Sequence, residues 1–526
     1  MVSQADPHNL LVPDLPRWPL ASDRPVIELV DVSVAFGAKQ VLKGLDLRIE
    51  AGKTTVIMGR SGSGKSVLLK TMIGLQRIDR GRVLAFGQEL ARLSAVDLLE
   101  LRKRMAMVFQ NYALFDGMSV AENVSFSLLE SSHMKHAAAM GLSHDLLALL
   151  GLSGTELLLP GELSGGMKKR VSLARALIAN PEVVLFDEPT TGLDPLMVEK
   201  VDDMILLAKE RYQLTSVIIS HDVASVSRIA DRVAFLHDGA IIFQGTYPEL
   251  CASTLPPILA FLGSPEPVVA ARVAAPRVAH QGPAVELVGV CKRFGDHEVL
   301  RGIDLAIEPR SITALIGASG SGKSVLIKHV MGLLKPDRGE VRVFGRDIVP
   351  MNERELTEVR RQFGLVFQHA ALLDWLSVAG NIAFPLEEDR VLSKVAITHR
   401  VHEIIERLGL TEIMHRMPGE ISAGQRKRVG LARAIARKPA LIIYDEPTTG
   451  QDPVGTRDID DMIQEAQRQF EITSIVVSHD MQSTFRIADR IAVLQDGAIA
   501  AIGTPSEIRA STNAYVQRFI HAAHRD

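Results

Sequence analysis

A phosphate-loop pattern that occurs twice constrains this 526-residue chain more than any other feature. Residues 59–66 read GRSGSGKS and residues 317–324 read GASGSGKS, each after an apolar run that predicts a strand and before a run that predicts a helix. Glycines in such a loop let successive N–H groups turn toward phosphate oxygens, and the helix N-terminus adds positive charge. One match would also fit a flexible Gly/Ser turn before an ordinary helix. Two matches predict two nucleoside triphosphate sites.

The two loops belong to an internal repeat with a constant shift of 258 residues. The same shift superimposes the later motif residues, namely Gln110 on Gln368, Ser164 on Ser422, Asp187 on Asp445 and His221 on His479. A repeat of this length predicts two similar domains. We expect a disordered tail at 1–25, a first domain at 26–262, a Pro/Ala/Val-rich linker at 263–283, a second domain at 284–520 and a C-terminal tail at 521–526.

Composition excludes several classes of protein. The two cysteines, Cys251 and Cys291, are too few for a disulfide framework, a Cys₄ zinc site or a Cys₄ iron–sulfur cluster, and they favour a reducing cytosol. A net charge of −3 gives no basic field for nucleic acid, so the basic clusters 102–104 and 168–170 are interpreted as solvated helix faces. The N-terminal residues lack a signal-peptide pattern, and no apolar run is long enough to span a bilayer.

The phosphate loops predict the ligands of a nucleotide and of Mg²⁺. Lys65 and Lys323 are placed to reach the β- and γ-phosphates, and the hydroxyls of Ser66 and Ser324 to ligate Mg²⁺. The other predicted loop ligands are Gly59, Ser61, Gly62, Ser63, Gly64, Gly317, Ser319, Gly320, Ser321 and Gly322.

Polar side chains at the ends of later apolar runs predict the rest of each site. Asp187 fits the strand-end aspartate that holds Mg²⁺, and Glu188 is placed beside it to orient or deprotonate water. Gln110 also ends a predicted strand, where its amide oxygen would face Mg²⁺ or the attacking water. His221 ends another and is either structural or a hydrogen-bond donor to the γ-phosphate or water. Their twins are Asp445, Glu446, Gln368 and His479.

Two weaker signals accompany these residues. Phe36 and its twin Phe294 are either aromatic residues that pack between strands or platforms on which adenine stacks. A Ser-Gly-Gly or Ser-Ala-Gly sequence before a helical run predicts a cap and a second anion site. These residues are Ser164, Gly165, Gly166, Ser422, Ala423 and Gly424.

In this order the motifs resemble the ATP-binding domains of ABC transporters, over nearly the whole chain. The resemblance implies an α/β fold of two tandem P-loop NTPase (RecA-like) domains, each with an antiparallel β subdomain and a helical subdomain. It implies binding of ATP and Mg²⁺, ATP hydrolysis, and halves that pair head to tail within or between chains. One ATP would then lie between two groups of residues from different halves. The first group is Lys65, Asp187, Glu188 and His221, and the second is the Ser422–Gly424 segment. The other ATP would lie between their counterparts.

The stretches 102–110, 113–116 and 450–453 resemble the ATPase of Mla-type phospholipid transport systems. That likeness implies transport of phospholipid or another hydrophobic solute through separate permease subunits, with a lipid-binding protein of the same system as a further partner. The chain would act on the cytoplasmic face of the inner membrane and bind no nucleic acid. The family usually carries one such domain per chain, so the tandem arrangement departs from it. Direction of transport and permease stoichiometry stay open.

Two other interpretations remain: a tandem ATPase of sugar importers, and a soluble ribosome-acting ABC translation factor. The intact lysine of the second loop disfavours the first, and the short, uncharged linker disfavours the second. The halves differ where the second has Ala423, whose methyl group limits φ > 0 and crowds a phosphate. We therefore expect the ATP site that pairs Lys65 with Ser422 to turn over more slowly than the other.

Overall fold

The computed structural model describes residues 25–132, 134–212, 214–263, 282–368 and 370–523. The predicted N-terminal tail and linker lie almost entirely outside the described residues, as does the end of the C-terminal tail. The chain divides into two compact units, one for each half of the repeat. The predicted domain limits stay predictions.

The first half contains ten strands and nine α-helices among its described residues. The strands are β1 (Ile27–Phe36), β2 (Lys39–Ile49), β3 (Thr54–Met58), β4 (Arg80–Ala85), β5 (Gln88–Glu89), β6 (Met105–Val108), β7 (Val183–Asp187), β8 (Thr215–Ile219), β9 (Arg232–His237) and β10 (Ala240–Gly245). The helices are α1 (Lys65–Met72), α2 (Ala95–Arg102), α3 (Val120–Ser132), α4 (His136–Leu149), α5 (Gly165–Leu177), α6 (Pro195–Tyr212), α7 (Val223–Ile229), α8 (Tyr247–Cys251) and α9 (Pro256–Leu262).

Two sheets organise this half. Strands β2-β1-β4-β5 form an antiparallel sheet. Strands β10-β9-β3-β8-β7-β6 form the second sheet, which is parallel except for β10. Every residue of β3, β7 and β8 is buried, as a central parallel sheet covered on both faces requires. The carboxyl ends of these strands therefore meet at one edge.

The second half repeats the arrangement. Its strands are β11 (Val285–Phe294), β12 (His297–Ile307), β13 (Ile312–Gly317), β14 (Arg338–Val343), β15 (Arg346–Asp347), β16 (Phe363–Val366), β17 (Leu441–Asp445), β18 (Thr473–Val477), β19 (Arg490–Gln495) and β20 (Ala498–Gly503). Its helices are α10 (Lys323–Val330), α11 (Glu353–Arg360), α12 (Val378–Asp389), α13 (Lys394–Arg407), α14 (Ala423–Ile435), α15 (Pro453–Phe470), α16 (Met481–Ile487), α17 (Pro505–Arg509) and α18 (Ala514–Ala523). The sheets have the orders β12-β11-β14-β15 and β16-β17-β18-β13-β19-β20.

Helices α3 and α4 form the predicted helical subdomain of the first half, and α12 and α13 that of the second. Each pair packs on the helix that follows it, α5 or α14. The predicted fold class, with an α/β core, an antiparallel sheet and a helical subdomain in each half, is confirmed. Among the residues described, no helix is both long and apolar enough to cross a membrane.

A buried carboxyl group lies between α6 and α7. Asp202 is 2% exposed and accepts a hydrogen bond from the hydroxyl of Ser225, at 2.6 Å. Burial raises the pKa of Asp202 from 3.8 to about 7, although the bond from Ser225 acts in the opposite direction. Ser225 also donates its N–H to Asp222, which caps α7 directly after the strand-end histidine. The second half repeats the contact with Asp460.

We predict that Asp202→Asn stabilises the protein at neutral and alkaline pH. The stability contributed by the protonated carboxyl is present below about pH 4 and is lost as the pH rises to about 7, because only the unfolded chain ionises freely in that range. An amide keeps the acceptor for Ser225 and removes the titration. The gain in unfolding free energy at pH 8 should be about 2 to 4 kcal/mol, measured by denaturant titration.

The matched control is Asp203→Asn, on the same helix as Asp202, which removes an exposed carboxylate paired with Arg228 of α7. This change should alter stability by less than about 1 kcal/mol at any pH. A pH dependence of stability between 4 and 7 that is the same in Asp202→Asn and in the parent protein would contradict the prediction.

Candidate functional site

The turn between β3 and α1 requires glycine where the backbone passes another strand. Gly59 has φ +146°, and a Cβ there would lie 2.2 Å from the carbonyl oxygen of Leu236 at the end of β9. Gly64, the N-cap of α1, has φ +106°, in the left-handed region that glycine tolerates. In the second half Gly317 lies equally close, 2.2 Å, to the carbonyl oxygen of Leu494. The strand–loop–helix setting that the motif requires is thus present twice.

Each loop curves around the ammonium group of its lysine. Lys65 is 6% exposed, and its Nζ donates to the carbonyl oxygens of Gly59, at 2.7 Å, and Arg60, at 2.9 Å. Lys323 donates likewise to the carbonyl oxygens of Gly317, at 2.7 Å, and Ala318, at 3.0 Å. The loop therefore holds positive charge at its centre, as binding of phosphate requires.

Two buried hydroxyls in the loops fit a polar ligand. Ser63 Oγ and Ser321 Oγ have no hydrogen-bond partner in the part of the chain that the structure describes. A buried hydroxyl without a partner is energetically unfavourable, and a phosphate oxygen would satisfy it. The other predicted loop residues lie in the same turns: Ser61, Gly62, Ser319, Gly320 and Gly322.

Two of the three predicted protein ligands of Mg²⁺ in the first half, Ser66 and Asp187, are neighbours. Ser66 is the second residue of α1, and its Oγ donates to Oδ1 of Asp187, at 3.2 Å. Burial raises the pKa of Asp187, and the bond from Ser66 opposes this shift. Within the described ranges, no group of three His, Cys, Asp or Glu side chains is placed to hold a metal. A hydroxyl and one carboxylate fit Mg²⁺, which takes few protein ligands and completes its shell with water and phosphate.

Glu188 is held by residues from three strand ends. It accepts hydrogen bonds from Gln110 Nε2, at 3.3 Å, and from Thr191 Oγ1, at 3.0 Å. His221 Nδ1 lies 3.5 Å from its other carboxylate oxygen. The Gln110 contact places the amide nitrogen, not the oxygen, toward Glu188. The amide oxygen of Gln110, which is predicted to face Mg²⁺ or water, takes no part in this hydrogen bond.

The electrostatic surroundings keep Glu188 ionised. Burial by itself would raise the pKa of Glu188, but the hydrogen bond and charge of His221, aided by Lys65, hold that pKa below its ordinary value. In the second half, His479 Nδ1 lies 3.5 Å from Glu446 and Thr449 Oγ1 donates at 3.2 Å, with the same direction of pKa shift. A carboxylate of low pKa accepts a hydrogen bond from water well and is a weak base.

Asp445 ends β17 and Gln368 follows β16, so the second half places both where the first half places their twins. Phe36 and Phe294 are 51% and 47% exposed at the ends of β1 and β11. Packing in a core therefore does not account for these rings, and their role in stacking adenine stays a prediction.

The Ser-Gly-Gly segment caps a helix as predicted. Ser164 is the N-cap of α5 and accepts from the N–H of Met167, at 3.3 Å, and Ser422 caps α14 in the same way. Gly166 is packed against Met197, whose Cε would lie 2.6 Å from a Cβ at that position. Gly424 has open space in the corresponding direction.

The expectation that Ala423 is restricted by φ > 0 is wrong. Ala423, like Gly165 in the first half, is the first residue of a helix and has no positive φ. A Cβ at Gly165 would meet the Tyr112 hydroxyl at 3.4 Å, which is ordinary contact, and the twin of that tyrosine is Ala370. The second half therefore accommodates the methyl group without strain, and slower turnover at the Ala423 site stays a prediction on the weaker ground of crowding.

Sequence reasoning missed two residues that contact this site. Thr191 lies in a short sequence that is identical in both halves, and this repetition is the signal that could have identified it. Lys169 is 9% exposed and donates to the carbonyl oxygen of Thr191, at 2.7 Å, so the interpretation of 168–170 as a solvated face is wrong for this residue. Arg102 is also engaged, since it donates to the carbonyl oxygens of Ile73 and Gly74.

A model of the ABC transporter family matches residues 42–191 and 300–449, which together make up more than half of the chain and contain both phosphate loops. The chain belongs to the ABC transporter family. It is an ATP-binding subunit with two ABC ATPase domains, which bind ATP with Mg²⁺ and hydrolyse the nucleotide.

The chain is similar along most of its length to other ABC proteins. It is 28% identical to an uncharacterized ABC transporter ATP-binding protein of Methanocaldococcus jannaschii, over 92% of this chain and 96% of that protein. It is 28% identical to the glutathione import ATP-binding protein GsiA of Escherichia coli, over 91% of this chain and 86% of that one. A structure of cbiO1 from Clostridium perfringens, part of the ABC transporter complex cbiONQ, is 28% identical over 44% of this chain and 93% of that chain, with a TM-score of 0.42.

We predict that Gly59→Ala destabilises the first half and abolishes nucleotide binding there. The added Cβ would overlap the carbonyl oxygen of Leu236, so either the loop or β9 must move. The loss of unfolding free energy should exceed about 3 kcal/mol, measured by denaturant titration alongside binding of a fluorescent ATP analogue.

Gly52→Ala is the matched control, because Gly52 also has a left-handed φ, +68°, but open space around a Cβ. It should lose only about 1 to 2 kcal/mol and retain nucleotide binding. Equal effects of the two changes would contradict the role assigned to the close approach at Gly59.

Proposed function

We propose that each half hydrolyses ATP at the site built around its phosphate loop, and that the chain thereby drives transport through a separate membrane permease. The observation that carries the proposal is the partly buried, ionised glutamate at the strand edge beside each loop, Glu188 or Glu446, in contact with a histidine. Lys65 and Lys323 bring fixed positive charge to the same edge.

The residues support a mechanism in which positioning and charge do most of the work. Glu188 accepts a hydrogen bond from the attacking water, and His221 keeps the carboxylate ionised and oriented. A weak base suffices, because in a largely dissociative phosphoryl transfer the water loses its proton late. Lys65 balances negative charge on the phosphate oxygens. Mg²⁺ bound by Ser66 and Asp187 would supply further positive charge to the phosphates when ATP is present.

For the transported solute we propose phospholipid or another hydrophobic molecule. The support is the likeness of the segments around Gln110 and Gln368, and of the 450–453 loop, to Mla-type ATPases. Permease subunits and a lipid-binding protein are then the expected partners, on the cytoplasmic face of the membrane. Head-to-tail pairing of the halves, the remaining implication of the resemblance, stays a prediction.

A second candidate is the import of a small peptide such as glutathione. The similarity to GsiA favours it, because the alignment covers both halves of this chain and Mla-type ATPases usually have one domain. The two candidates share the ATPase chemistry and differ in the permease.

We predict that Glu188→Gln with Glu446→Gln lowers the kcat of ATP hydrolysis by about 100-fold or more, because the amide cannot take the proton of water. ATP binding should be retained, since neither glutamate is a predicted phosphate ligand. The measurements are phosphate release and equilibrium binding of ATP. Glu100→Gln, an exposed change on α2, is the control. Unchanged turnover in the double variant would refute the assignment of these carboxylates.

The solute is tested in cells that lack the gene and carry either the parent protein or the Glu188→Gln/Glu446→Gln variant. We expect uptake or release of radiolabelled glycerophospholipid to depend on the intact glutamates, and uptake of radiolabelled glutathione to be independent of them. The reverse pattern would replace the lipid proposal by the peptide importer.

A further inference from the structure

The helix that begins at Ser164 carries a lysine whose charge is buried inside the domain. Lys169 lies five residues along the chain from Ser164 and is 9% exposed, and its Nζ donates to the carbonyl oxygen of Thr191, at 2.7 Å. Lys427 is 7% exposed on α14 and donates to the carbonyl oxygen of Pro447, and more distantly, at 3.4 Å, to that of Thr449. Burial of an ammonium group is unfavourable unless its hydrogen bonds compensate, so its retention in both halves requires an explanation.

The carbonyl that Lys169 contacts belongs to the residue that holds the reactive carboxylate. Thr191 Oγ1 donates to Glu188, at 3.0 Å, and Thr449 Oγ1 donates to Glu446, at 3.2 Å. The positive charge of Lys169 and the negative charge of Glu188 also attract each other across this short segment. The lysine is thus joined to the glutamate by one intervening residue.

The backbone at the glutamate needs this support. Glu188 has φ +52° and Glu446 has φ +50°, in the left-handed region that non-glycine residues adopt at an energetic cost. Apart from the threonine, the contact that fixes the Glu188 backbone is its N–H bond to the carbonyl oxygen of Ile219, at 3.1 Å. A strained residue keeps its conformation only when several neighbours determine it together.

We propose that Lys169 and Lys427 are positioning residues that tie the helix begun by Ser164 or Ser422 to the segment holding Glu188 or Glu446. A displacement of α5 then moves Thr191, and with it the carboxylate. The inference rests on the proposed role of Glu188 and Glu446. Lys169 itself acts through Thr191 and is not a catalytic residue.

The charge of Lys169 is sensitive to pH. Burial lowers the pKa of Lys169 from 10.5 to about 7, against the attraction of Glu188, and that of Lys427 to about 8. Lys169 lines a pocket whose other titratable groups are Tyr112 of the loop after β6, Arg170 of α5 and Glu188 at the end of β7. As the pH rises through 7 to 8, the ammonium becomes an amine, which still donates to Thr191 but no longer attracts Glu188.

The test makes each substitution in both halves at once, because a chain with one intact site would keep the turnover of that site. It compares Lys169→Met/Lys427→Met with Lys169→Gln/Lys427→Gln in the full-length chain, with steady-state ATP turnover measured from pH 6 to 9. The methionine pair removes both the bonds and the charges, and should lower kcat by about 10- to 100-fold with a change in KM of less than about threefold. The glutamine pair retains an N–H donor for each carbonyl, so it should recover part of kcat while losing the decline of turnover above pH 7.

Lys168→Met, which removes a charge one residue before Lys169 on the same helix, is the matched control and should leave kcat and its pH profile unchanged. The proposal is overturned if the methionine pair keeps the parent kcat and pH profile, or if Lys168→Met has the same effect as that pair. If the methionine pair fails to fold, the glutamine pair decides: a parent-like pH profile overturns the proposal. If Glu188→Gln/Glu446→Gln also leaves turnover unchanged, the proposed role of the glutamates fails, which is a separate result.

Discussion

The meeting of parallel strand ends at one edge of the six-stranded sheet is the constraint on which each half depends. Because β3, β8, β7 and β6 are successive neighbours and run the same way, the residues that follow them are brought together whatever their separation in sequence. Gln110 and Glu188 are 78 residues apart and in hydrogen-bond contact. No local preference for a loop conformation would bring these groups together. Burial of β3, β7 and β8 along their whole length holds this edge in place, and the edge determines which side chains meet there.

At that edge, burial and charge act in opposite directions on neighbouring acids. Burial raises the pKa of Asp187, so a bound cation would favour its ionised form. Glu188, one residue later, is kept ionised by His221. The two side chains have different neighbours: Asp187 accepts a hydrogen bond from Ser66, whereas Glu188, whose φ is left-handed, contacts the histidine. One residue is thereby suited to metal binding and the next to holding water.

The sequence predicts the elements and the strand-end residues well because their signals are local. Short, largely apolar runs predict β3, β7 and β8, the glycine-rich or polar residues at their ends predict the site, and the repeat predicts the second half. The contacts of Lys169 were not predictable in this way, since a Lys-Lys-Arg run on a helix looks solvated when the covering subdomain is unknown. The expected restriction on φ at Ala423 is wrong because the sequence pattern places Ser-Ala-Gly before the helical run, whereas the helix already begins at Ala423.

The two halves differ in residues that pack around the site, whereas the threonine and histidine that contact the glutamate are the same. Phe186 of β7 corresponds to Tyr444, a fully buried residue of β17, and Met197, which packs over Gly166, corresponds to Gly455. As a result, Gly424 has open space in the second half where Met197 packs over Gly166 in the first. The contacts of the glutamate with threonine and histidine are the same in both halves to within a few tenths of an ångström. The threonine and histidine contacts of the glutamate are therefore kept in both halves while the apolar packing around them differs, as expected if hydrogen-bond geometry tolerates less change than apolar volume.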